Sequence, residues 1–390
     1  MIRYTFRLPS VMFLLFLVFS VLLASSHAQA QCTPVASGLA NPLGITQSNQ
    51  GNLIVSETGT TDLHSGRLSI VDINGVRRTL LSGLPSAIND VGEPSGPAGV
   101  FLRGRTLYLA IGIGDSIVAG GPGVAFANPN PSSPIFSSVL AIHFSASVEK
   151  NTSGFSLTVA DQLTLASGEE LTLSNGSGDE ITIELVANFP NFTPNPVPPV
   201  PGNVRGANPF DLVIVGDQIY VSDGGQNAVW QVDSETGGFF KLVTFPPIPN
   251  PLPFGPPVVE AVPTGIAYSD GQLLVTLFRG FPFPAGSSVV KQVDPLSGAH
   301  TDYISGLSSA IDVLAIENKG DTDHLVLQFS TNMLADAPGS LLRFETPASA
   351  PTVVAGCLIT PTSMTLDAKN GTLYITELGP GRVVSVPIAP

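Results

Sequence analysis

Six segments of this chain repeat one pattern, and that repeat limits the fold more than any other feature. They are Asn52–Glu57, Thr106–Ile111, Gln218–Asp223, Gln272–Leu277, His324–Phe329 and Thr372–Glu377. Leu53, Leu107, Ile219, Leu273, Leu325 and Leu373 mark a common register, with successive spacings of 54, 112, 54, 52 and 48 residues. Near-continuous apolar runs of this length read as strands covered on both faces. A unit that cannot bury its faces alone must stack on its neighbours. Around each run the chain supplies the rest of a small sheet. A short strand opening on proline or glycine comes before it. A third strand follows, as in Ile70-Val71-Asp72, Gln231-Val232-Asp233 and Gln292-Val293-Asp294, and each of these leads into a glycine turn (Gly75, Gly237, Gly298). Aspartate and glycine at that place fit a tight hairpin into a fourth strand. Fourth strands end as Leu81-Ser82-Gly83-Leu84, Ile304-Ser305-Gly306-Leu307 and Ala355-Gly356-Cys357-Leu358.

These units describe an all-β, six-bladed β-propeller. The ends of the chain indicate how the ring closes. Val35-Ala36-Ser37-Gly38-Leu39 reads as a fourth strand although it precedes the first repeat, and the last repeat stops after three strands. The N-terminal strand is therefore expected to complete the last blade, which leaves no unpaired sheet edge at the junction. The 112-residue gap leaves seven blades as the alternative. Residues 147–200 lack the first- and second-strand signature, so they are read as an insertion in blade two, with a hairpin from Glu170–Ser174 to Ile181–Val186. Residues 31–390 then form one domain.

Residues 1–30 read as a secretory leader. Arg3 and Arg7 precede the apolar run Val11–Ala24, and Ala28-Gln29-Ala30 supplies a small-x-small cleavage site. The expected location is secreted or periplasmic, with no membrane attachment after cleavage. The formal net charge is −14, and loss of Arg3 and Arg7 makes it more negative. Such a surface repels nucleic-acid phosphates and anionic lipid, and suits cations or uncharged small molecules, glycans or proteins as partners. Cys32 and Cys357 are the only cysteines. Export favours pairing, whereas the repeat alignment speaks against it, and the sequence leaves the matter open.

In this architecture the second-to-third-strand loops and the blade connections share one face. The long loops belong mostly to that face: Thr58–Gly66, Gly112–Pro134, Pro190–Asn208, Pro246–Pro263, Phe278–Ser287 and Ser330–Gly339. Proline stiffens several of them, which suits either a preorganised recognition surface or a rigid cap. Pro209-Phe210-Asp211-Leu212 followed by Tyr220-Val221-Ser222-Asp223-Gly224-Gly225-Gln226-Asn227 resembles the strand-and-loop signature of NHL-type propellers. Together with Gly38–Gly44, Val262–Ile266 and Gly280–Pro284, the order of motifs is similar to the ScyD/ScyE family of secreted propellers over residues 32–390. That resemblance implies the fold and export and no assigned activity. The family often has an acidic residue closing the second strand of later blades; Leu277 and Phe329 stand there in this chain.

Glu57, Asp223 and Glu377 end equivalent second strands in blades one, three and six. This placement makes them candidate oxygen ligands for Ca²⁺ at the channel mouth. The competing reading is that each accepts backbone N–H bonds within its own loop. Asn41, Asn208, Asn227, Phe281 and Phe283 lie in loops of the same face and are candidate ligand contacts. No nucleophile elbow, zinc-helix motif or phosphate loop is present. Trp230 reads as a packing residue. Two function classes follow. The first is a non-enzymatic binding or scaffold protein using the loop-rich face. The alternative is a metal-dependent hydrolase or lactonase, or a sugar oxidoreductase, at the central channel.

Overall fold

The computed structural model describes residues 29–318 and 320–388. The leader reading concerns residues that lie, except for Gln29 and Ala30, outside the described ones. Six antiparallel sheets form the blades of a propeller. Each innermost strand touches the innermost strand of the next blade, and that of blade six touches that of blade one. Blade six is built from Pro361–Asp367, Thr372–Glu377, Arg382–Pro387 and, outermost, Thr33–Ser37. Thr33 pairs with Ser385 and Ser37 with Arg382, so the two chain ends share one sheet.

Cys32, one residue before that strand, is disulfide-bonded to Cys357 in Thr352–Leu358, the outermost strand of blade five. Their Cα atoms are 6.0 Å apart. The repeat alignment spoke against this bond because it treats the two cysteines as belonging to different blades. They do, but those blades are neighbours. The N-terminal segment crosses between them, and the Ala30 amide donates to the Val354 carbonyl at 2.8 Å.

Residues 147–200 do more than extend an edge. Glu180–Asn188 is the fourth strand of blade two and Leu171–Ser174 the fifth. Two helices, Ala146–Asn151 and Val159–Ala166, precede them, and Thr158 closes a capping box with Asp161 at the start of the second. Phe155–Ser156 pairs in parallel with Arg77–Leu84 of blade one, so the insertion ties two blades together. Val148, Phe155, Leu165 and Ile183 are buried in the same core as Ile54 and Leu107. The buried Glu149 carboxylate accepts from Ser48, from Asn52 at 2.8 Å and from Arg105 at 2.5 Å. It thereby joins the inner hairpins of blades one and two on the face opposite the long loops.

A bulge interrupts the first strand of every blade near its start. Beside it sit Gly44, Gly99, Asp211, Gly265, Asp312 and Ser363, which line the narrow centre of the ring. The glycines there meet a steric requirement. A Cβ on Gly99 would fall 2.4 Å from Asp211 Cα, and one on Gly265 would fall 2.6 Å from Asp312 Cα. Hydroxyls on the second strands fasten the same seam: Ser56 donates to the Ala98 carbonyl, Ser222 to Thr264, and Thr376 to Leu43 at 3.0 Å.

Two outcomes follow from this geometry. Replacing Cys32 and Cys357 by serine should lower stability by about 2–5 kcal/mol in urea unfolding, because the bond closes a loop spanning nearly the whole chain. Gly99→Ala should cost at least ~3 kcal/mol or prevent folding, since backbone rather than a flexible side chain stands in the way.

Candidate functional site

The three expected metal ligands are all fully buried, and each is already satisfied. Glu57 accepts from the Ala40 amide at 2.6 Å and from Ser69 at 2.5 Å, and both its oxygens meet one Arg77 nitrogen at 2.9 and 3.0 Å. Glu377 accepts from the Ile359 amide at 2.5 Å and from Arg382. Asp223 accepts from the amides of Asn208 (2.7 Å) and Gln226 (2.9 Å) and from the Trp230 indole (2.8 Å). Burial pushes the Asp223 carboxyl up, against these hydrogen bonds. The pattern is one device used three times. A carboxylate at the end of the second strand takes the amide of the segment arriving from the preceding blade, and a cation or indole from a strand further out holds it. Such a donor set does not fit Ca²⁺, because the oxygens a cation would need are taken up by N–H groups. Among the described residues no group of three His, Cys, Asp or Glu is placed to hold a metal ion.

What the loop-rich face does contain is a cleft of about 710 Å³ above the channel. One wall is the hairpin Ile117–Gly121/Val124–Ala127, from the second-to-third-strand loop of blade two. A second hairpin, Phe192–Pro194/Val204–Gly206, forms the next wall on the way to blade three. Ile113, Ile117, Val204 and Phe192 pack these hairpins together, which stiffens the cleft. The far side comes from Glu260 and Val262, between blades three and four, and from Phe278. Asn89 and Asp90 close the cleft from the blade-one side.

Polar groups interrupt these apolar walls. Arg205 forks onto Glu260 at 2.9 and 3.1 Å. Desolvation would raise the Glu260 carboxyl, but hydrogen bonding and charge from Arg205, together with the Asn227 amide, hold it below the usual range. Asp90 differs. It is half-buried, its carboxyl has no partner beyond its own backbone amide, and desolvation pushes its pKa up. Val262 has φ +52°, a costly conformation for a β-branched residue, and the Asn227 side chain holds its amide at 2.9 Å.

The five candidate ligand contacts separate on this geometry. Asn208 lines the cleft, and its side-chain oxygen accepts from the Ile113 amide at 3.1 Å. Asn227 stands behind the wall and braces Glu260 and Val262. Asn41 is bound to the Gly59 carbonyl at 2.8 Å and does not line the cleft. Phe283 stacks edge-on between Phe281 and Phe278, at centroid distances of 6.0 and 6.1 Å. Phe278 reaches the cleft while Phe281 stays half exposed at the rim. Trp230 is a core residue stacked on Phe189 at 5.0 Å.

Below the cleft the channel narrows to a void of about 10 Å³, room for one water. Asp211 and Asp312 face it, and neither was anticipated as a site residue. Asp211 reaches across to the Ile266 amide of blade four at 3.1 Å, and Asp312 to the Met364 amide of blade six at 2.8 Å. Desolvation pushes Asp211 up to about 7, against the amide bonds from Ile266 and Leu212. The same desolvation, with the charge of Asp211 added, pushes Asp312 well above the carboxylate range. A signal for them exists in the repeat: aligned on the first strands, these positions read Gly, Gly, Asp, Gly, Asp, Ser.

No family model matches the chain, and no curated protein matches it. Solved structures similar to this chain include a gluconolactonase from Xanthomonas campestris (12% identity, 92% of this chain and 90% of that one, TM-score 0.49). A PQQ-bound aldose sugar dehydrogenase from Streptomyces coelicolor is similar at 14% identity, covering 92% of this chain and 98% of that one, with TM-score 0.48. Regucalcin, a calcium-binding protein from Agrobacterium tumefaciens, is similar at 9% identity, covering 92% and 94%, with TM-score 0.49. At these identities the likeness concerns the fold.

Glu57→Gln and Glu377→Gln should each lower unfolding free energy by about 2–4 kcal/mol, because a partly buried arginine loses its buried counter-charge. Millimolar Ca²⁺ should leave the melting temperature of the parent protein unchanged; a Ca²⁺-dependent rise that these variants abolish would restore them as ligands. Asp211 has a raised folded pKa, so its contribution to stability is complete below its unfolded value near 4 and is lost as pH rises towards 7. The stability difference between the parent and Asp211→Asn should therefore move in favour of the variant between pH 4 and 7. A difference that stays flat over that window would show that Asp211 ionises normally.

Proposed function

We propose that the cleft at the channel mouth takes a small hydroxylated carbonyl compound, of the sugar or sugar-lactone class, and that Asp90 exchanges a proton with it. The observation that carries this reading is the concave cleft of about 710 Å³ with a single uncommitted carboxyl in its wall. A sugar ring presents hydroxyls at its edge and C–H groups on its faces. Asn89, Asn208 and the Arg205–Glu260 pair suit the first, and Ile113, Ile117 and Phe278 suit the second. A carboxyl whose charged form is disfavoured by desolvation, as that of Asp90 is, can donate a proton to a carbonyl or leaving oxygen, or take one from water. This is the hydrolase or oxidoreductase alternative of the sequence reading, without the metal at Glu57, Asp223 and Glu377.

The non-enzymatic reading is second, and the half-exposed Phe281 ring, packed edge-on against Phe283, favours it, because an exposed aromatic serves binding without chemistry. The motif order at Pro209–Asn227 supports placing the chain with the ScyD/ScyE type, and the leader sequence supports export. Binding of a panel of sugars and aldonolactones by calorimetry, with lactone turnover followed in a pH-stat, tests the proposal. Asp90→Asn should keep ligand affinity within a few-fold and lower turnover by about 10²-fold or more. Binding without turnover in the parent protein would assign it to the non-enzymatic class. Absence of binding across the panel would remove the proposal.

A further inference from the structure

A second pocket, of about 280 Å³, lies on the outer side of the Arg205–Glu260 pair. Arg205, Glu260 and Asn195 line both cavities, so the ion pair is the partition between them. The outer pocket is bounded by Thr193–Asn195 of the second hairpin, by Lys241 and Thr244 on the outer strand of blade three, and by Phe245, Pro246 and Pro247.

Its charge is unusual for this molecule. The chain has 16 lysines and arginines against 30 aspartates and glutamates, yet two of the cations face this one pocket. Glu260 is the pocket's one carboxylate, and Arg205 and Asn227 already engage both its oxygens. Lys241 is half-buried over the face of Trp230, with the ammonium 5.0 Å from the ring centroid. Its one hydrogen bond is to the Gln226 side-chain oxygen at 2.8 Å. The nearby Asp223 supplies no direct contact, because its own oxygens hold two amides and the indole. Desolvation pushes the Lys241 pKa down, opposed by the charge of Asp223 and reinforced by that of Arg205. Beside Lys241, neither the Thr244 hydroxyl nor the Asn195 side-chain amide has a protein partner among the described residues.

A half-buried ammonium without a contacting counter-ion, flanked by uncommitted donors and an apolar proline floor, lacks only an anion. We infer that this outer pocket is a carboxylate-binding site, with Lys241 as its charged anchor and Thr244 and Asn195 as supporting donors. The ligand class is a small hydroxylated carboxylic acid. The site is separate from the cleft and stands whether or not the cleft reading holds.

Calorimetry with D-glucuronate as probe, and methyl glucoside as the neutral control of the same ring size, tests this. Glucuronate should bind the parent protein saturably in the millimolar range or tighter, more weakly as salt is raised, and methyl glucoside should not compete for the site. Lys241→Met keeps the packing on Trp230 and should weaken glucuronate about tenfold or more, while Lys241→Arg retains binding within a few-fold. Lys241 lines the outer pocket and not the cleft, so a loss of glucuronate affinity in Lys241→Met separates this pocket from the cleft. No saturable glucuronate binding, equal affinity in Lys241→Met, or competition by methyl glucoside would each overturn the assignment.

Discussion

The structure depends on how closely six inner strands can meet at the axis. Gly44, Gly99 and Gly265 sit where a Cβ would come within 2.4 to 2.6 Å of the next blade's inner strand. Asp211, Asp312 and Ser363 take the remaining places, and the two aspartates accept hydrogen bonds from amides of the following blade. A ring this tight leaves a void large enough for one water. It therefore cannot hold a ligand along its axis, and any site for a larger molecule must be built above it, from loops. Closure at the rim solves a different problem. The N-terminal strand completes blade six, and the Cys32–Cys357 bond fastens the segment that leads into it. The junction between the two chain ends is held by pairing and covalently, so no blade is left with a missing strand.

The cleft follows from that constraint. Its walls are a loop of blade two and the connections from blade two to three and from blade three to four, and their rigidity comes from hairpin pairing, proline and apolar packing between the two hairpins. Strain is tolerated beside it: Val262 and Asn227 both have φ +52°, and Asn227 holds Val262 in place. Acidic groups here fall into two kinds. Glu57, Asp223 and Glu377 bind the blade connections together and are spent in doing so. Asp90, Asp211 and Asp312 carry carboxyls that desolvation makes harder to ionise, at the cleft wall and at its foot. A carboxyl of the second kind is disposed to exchange protons, because its charged form is disfavoured.

Much of this was legible in the residues. The register of Leu53, Leu107, Ile219, Leu273, Leu325 and Leu373 located every second strand, since a strand buried on both faces must be apolar along its length. The loop lengths showed which face would be elaborated. Residues 147–200 were harder. Their strand Glu180–Asn188 carries glutamates because it lies near the outer edge, where burial is partial, so the apolar signature that marks inner strands is weak there. The two short helices were likewise missed, because their cores contribute only Val148, Gln162 and Leu165 to buried positions beside a buried Glu149.

By itself the sequence determined the six-fold repeat, the permuted closure and the face that carries the long loops, because periodicity and strand length are local properties of the chain. Only the tertiary structure decided what each carboxylate does. Glu57 and Asp90 are the same functional group a few dozen residues apart, and nothing in their neighbours tells which will meet an arginine and which will be left in a cleft wall. The same holds for Cys32 and Cys357, and for Arg205, Glu260 and Lys241. Their partners come from distant parts of the chain, and the ring brings them together only when it closes.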